Sequence, residues 1–213
     1  MSDKKHHDHA PGESCDDENE GLAPMNLADL RAEAAAHPED ELLQGDLARR
    51  LFRSLCRGKI AKDPEGRTER LDELKALTLE RPDDVAIRTC LAMGFFNVFV
   101  DAHTEGVLDQ RDACLVGLRE LHATHSDDES VGRHLAAALL NSTTYAHEAE
   151  EFERRDAILD ELRALASAFT AEQEIRWCVG QALLNAAVDA EERDDLPARD
   201  ALMAEIRELA GSK

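Results

Sequence analysis

Along most of the chain, apolar residues recur three and four positions apart, the spacing that lays a stripe along one face of a helix. Leu71, Leu74 and Leu77 form one such stripe. Leu115, Leu118 and Leu121 repeat it, and so do Leu159, Leu162 and Leu165. A second stripe, Ile87, Leu91, Phe95 and Val98, returns as Val131, Leu135, Leu139 and Ser142, then as Ile175, Val179, Leu183 and Ala186. No segment alternates apolar and polar residues over the length of a strand. The pattern predicts an all-α fold.

Both stripes return every 44 residues, so the chain divides into blocks 27–70, 71–114, 115–158 and 159–202 and a shortened fifth, 203–213. Two helices per block give about nine. Pro38 and Pro82 mark the end of the first-stripe helix, because proline inside a helix removes a hydrogen bond. Ser126 and Thr170 replace them in later copies and are expected to cap the next helix. Asp40, Asp84, Asp128 and Glu172 are expected in that helix's first turn, where their charge complements the helix dipole. A small residue, Ala48, Ala92, Ala136 or Gly180, follows the second apolar position of the second stripe and allows a neighbouring helix to come close.

These residues resemble the tetratricopeptide repeat. Leu91-Ala92 with Phe95, Leu135-Ala136 with Leu139, and Val179-Gly180 with Leu183 match that family's large–small–large pattern. Leu74, Leu118 and Leu162 take its second-helix position, and Pro38 and Pro82 its closing proline. Two features depart from it. Gln44, Arg88, Gly132 and Arg176 stand at the early tryptophan position, and the period exceeds the usual length of about 34 residues. The added residues fall around 59–66, 103–106, 147–151 and 191–197, as longer helices or longer loops. Armadillo- and HEAT-like units have periods near this one and remain the alternative. The resemblance implies a right-handed α-solenoid of antiparallel helical hairpins over residues 26–213. It also implies a concave groove that holds a partner peptide or helix.

Composition narrows the function classes. Acidic residues number 46 against 25 basic ones, for a net charge of −21, while 43% of the 213 residues are hydrophobic. That apolar share is enough for a core, and the acidity disfavours nucleic acid, whose phosphates call for Lys and Arg. No apolar run reaches the roughly 18 residues that span a bilayer, so no membrane partner is expected. The five cysteines are odd in number and form no CxxC pair, which suggests neither a disulfide framework nor a zinc knuckle and fits a cytoplasmic setting. Residues 1–25 read as a disordered, acid- and His-rich tail. Within it His6, His7 and His9 are a weak metal site, and a metal-handling protein docked by the solenoid is the alternative function.

The candidate groove residues follow from the repeat. Asn97, Asn141 and Asn185 occupy one column, with Arg53 in the first block. An amide both donates and accepts, so such a ladder can bind a peptide backbone without reading its side chains. The competing role is bonding the carbonyls of adjacent hairpins. Arg88, Arg176, His134 and Tyr145 are expected to add side-chain contacts to the partner. Arg31, Lys75, Arg119, Arg163 and Arg207 form a second column, expected to be an inter-repeat ion-pair network. Cys90, His134 and Cys178 share a third, too widely spaced for one metal ion. No catalytic motif, phosphate loop or dinucleotide fingerprint occurs. The expectation is a non-enzymatic scaffold without cofactor, a monomer or weak homodimer.

Overall fold

The computed structural model describes residues 25–211, and over them the chain is helical without a strand. The nine helices are α1 (Leu27–Ala36), α2 (Glu41–Ala61), α3 (Pro64–Glu80), α4 (Val85–Thr104), α5 (Leu108–Thr124), α6 (Glu129–Glu148), α7 (Phe152–Ala168), α8 (Gln173–Glu192) and α9 (Leu196–Gly211). The residues beyond the usual repeat length went into longer helices, for the connections between them are only a few residues.

Each even helix packs on the next, α2 on α4, α4 on α6 and α6 on α8, and each odd helix lies against the even helices that flank it. No two odd helices bring Cα atoms within 8 Å of each other. One continuous apolar core threads the whole set, from Leu30 through Leu51, Leu74, Ile87, Leu118, Leu139 and Leu162 to Leu183. Ala48, Ala92 and Ala136 are fully buried at the small-residue position.

The ends of the even helices are set by their caps. Asp40, Asp84 and Asp128 lie just outside the helix, and their side chains accept backbone N–H groups of the first turn. They are therefore caps rather than first-turn residues, and Ser126 and Thr170, two positions upstream, are not. Glu172 holds the equivalent place without capping, because Arg133 takes its carboxylate at 3.1 Å. At the other end of each even helix one residue turns left-handed: Lys62, Gly106, Glu150 and Asp194, again 44 apart. In all four copies the next residue's N–H returns to a carbonyl five residues back, which closes the helix and reverses the chain.

α4 corrects one expectation. Its length and mean hydropathy of 1.5 would let it cross a membrane, but 61% of that window is buried inside the protein. It is wrapped by α2, α3, α5 and α6, so the hydropathy belongs to a core helix.

Candidate binding face

Asn97, Asn141 and Asn185 sit at the same height on α4, α6 and α8, three helices packed in sequence. All three are half-buried. Asn97 Nδ2 donates to the Met93 carbonyl of its own helix at 2.9 Å. Asn185 Oδ1 accepts from Gln181 Nε2, also on its own helix, at 3.2 Å. Among the described residues none of the three makes a hydrogen bond to a neighbouring hairpin. Arg53, at the same height on α2, is exposed.

The four other predicted contacts are used inside the fold. Arg88 is 8% exposed. Its Nε donates to Asp128, the α6 cap, at 2.8 Å, and Nη1 donates to the Pro82 carbonyl. That is a correction: the guanidinium ties the start of α4 to the start of α6 and is not offered to a partner. Gln44, in the same column, donates to the Ala34 carbonyl. Arg176 donates to the Leu209 carbonyl of α9. His134 Nδ1 lies 2.7 Å from the Ser130 carbonyl, and its ring meets Phe96 edge-on at 6.2 Å. Tyr145 stacks on His103 with centroids 3.3 Å apart, and the Arg111 guanidinium lies 6.0 Å from its ring. Burial pushes its phenol above the ordinary value, helped by Glu148 and opposed by Arg111.

Tyr145 belongs to a set of contacts that sequence reasoning missed. Asp101, Tyr145 and Asp189 share one column, and each receives one group from the preceding even helix and one from the preceding odd helix. Asp101 takes Lys59 and Arg67. Asp189 takes His147 at 3.1 Å and Arg155 at 2.7 Å. Tyr145 takes His103 and Arg111 by stacking. The signal lay in the offsets: Lys59 to Asp101 and His147 to Asp189 span one interval, Arg67 to Asp101 and Arg155 to Asp189 another. The adjacent pairs Arg111–Asp112 and Arg155–Asp156 flank the same network.

The expected basic column is paired across repeats. Arg31 meets Glu73, Arg119 meets Glu161 and Arg163 meets Glu205, each at 2.7 Å. Lys75 instead turns to Asp72 at 2.9 Å, because the residue facing it is Gly117.

Cys90, Cys114 and Cys178 are buried thiols. Burial pushes Cys90 and Cys114 up to about 11 and Cys178 up to about 12, so they are poor nucleophiles at neutral pH. Among the described residues no group of three or more His, Cys, Asp or Glu is placed to hold a metal ion. His6, His7 and His9 lie outside the described residues. No family model matches the chain, and neither a curated protein nor a solved structure does, so this face is read from its own geometry alone.

Proposed function

We propose that this chain is a binding scaffold without catalytic activity, a right-handed tetratricopeptide-like solenoid in the cytoplasm that holds a partner's peptide or helix on the face formed by α2, α4, α6 and α8. The observation that carries this reading is the Asn97–Asn141–Asn185 column. Three amides stand at one height on three consecutively packed helices, partly open, with no hydrogen bond to another hairpin. Amides kept in that state in the interior of three helices are poor choices for helix formation, and each retains capacity to bond an incoming backbone. The carboxylates one turn beyond Asn97 and Asn185 support binding over chemistry, because Asp101 and Asp189 are both consumed by buried ion pairs.

The test is selection of a displayed random-peptide library against the wild-type chain and the Asn97→Ala/Asn141→Ala/Asn185→Ala variant, with helicity and melting compared. Each amide–backbone bond is worth about 1 kcal/mol net, so the triple variant should bind selected peptides weaker by about two orders of magnitude. Equal capture by both folded proteins would remove the amide column as the binding device.

A further inference from the structure

The stack of even helices is charged unevenly from one end to the other. α2 carries five Lys and Arg side chains against two carboxylates, and α4 carries one of each. α6 carries one against two, and α8 one against four. A basic helix is the exception in a chain of net charge −21. Part of that basicity is used inside the fold: Lys59 goes to Asp101, and Arg50 holds the Met25 carbonyl at 3.0 Å.

Arg49, Arg53 and Arg57 are exposed and lie four residues apart, so they line one stripe of α2. Arg49 meets Asp46 only at 3.8 Å. Among the described residues Arg53 and Arg57 make no ion pair or hydrogen bond. Burial raises the Cys90 thiol, and Arg49 and Arg53 oppose that rise, which places both guanidinia beside α4. Arg53 is the α2 member of the amide column, with Arg49 and Arg57 one turn to either side. At the other end of the column, Glu192 is exposed two turns beyond Asn185 and is likewise unpaired among the described residues.

An amide ladder bonds a backbone without reading its charges, whereas this gradient does read them. We infer that the face holds a partner segment of uneven charge, its acidic end on Arg49, Arg53 and Arg57 of α2 and its basic end towards α8. This rests on the peptide-binding reading and adds the polarity of the partner to it. A uniformly acidic segment is repelled at α8 and a uniformly basic one at α2, so the face selects against both. Packed helices lie about 8–10 Å apart, so an extended segment crossing all four needs about eight to ten residues at roughly 3.3 Å each.

Selection of a displayed random-decamer library on the full chain tests the inference. Binders should carry Asp or Glu in one half and Lys or Arg in the other. Arg53→Ala/Arg57→Ala should weaken a selected peptide about tenfold, with helicity kept because both side chains are exposed and unpaired. Changing that peptide's carboxylates to amides should cost the wild type about as much and the variant little more, the coupling that assigns the acidic end to α2. Binders without charge asymmetry, or without that coupling, would overturn the inference and leave the peptide-binding reading standing. Binders recovered only from a full-length variant with Glu13, Asp16, Asp17, Glu18 and Glu20 changed to amides would give the arginines to the chain's own carboxylates and overturn it too. A library that yields no binder on either protein would remove both readings.

Discussion

Gly117 stands in the column of Glu73, Glu161 and Glu205 and breaks the run of cross-repeat ion pairs. The cause is Phe95, where the other copies carry leucine. A Cβ at Gly117 would lie 2.5 Å from that ring, so a large side chain on α4 excludes any side chain here on α5. Lys75, left without the glutamate, lies 5.6 Å from the centre of the same ring. Three residues on three helices thus form one coupled exchange. Gly117→Ala alone should destabilise by about 1–3 kcal/mol, the range for overpacking. Phe95→Leu should cost stability by itself yet absorb the alanine, and a double-mutant cycle by denaturant unfolding reads that coupling. His122 gives a pH-dependent counterpart. Burial lowers its pKa below 6.5, partly offset by Glu161. The unfolded chain therefore takes up a proton before the folded one does, and stability falls as pH drops through the region just below 6.5. Tm measured at pH 5.5 and 7.5 should fall less in His122→Gln than in the wild type.

At the scale of the helix, period and stripe were legible in the sequence because apolar spacing is a local property. The element order and the two residue columns follow from it, but not whether the added residues lengthen helices or loops; the helices take them. The caps were not legible to the residue. Thr170 and Glu172 are both acceptable near a helix start, and the choice depends on where the preceding turn releases the chain. Arg88 was misread for a related reason. Its partner Asp128 is 40 residues away, and only the packed pair reveals that the guanidinium spans two helix starts. This pairing makes two chemically equal caps unequal. Asp40→Ala removes only a cap and should cost about 1 kcal/mol. Asp128→Ala also strands a buried guanidinium, whose partner loss typically costs about 3–5 kcal/mol. Chemical denaturation of the two variants, compared at one pH, checks the difference.

Across the molecule, the even-helix side and the odd-helix side are held by different physics. On the even side neighbouring helices touch along their length and share the apolar core. On the odd side the backbones stay apart, and carboxylate–guanidinium pairs span the gaps. Each such pair is partly exposed and worth roughly 0–1 kcal/mol. The result is a body with a stiff spine and compliant ribs, in which salt tunes the ribs without touching the spine. High salt should open the rib side and raise the radius of gyration in X-ray scattering while helicity by circular dichroism stays constant; a profile unchanged by salt would show the ribs to be as rigid as the spine. The gap between α3 and α5, where Gly117 cancels the ion pair, should yield first under load, so that the body bends at one joint set by the size of a single phenylalanine ring.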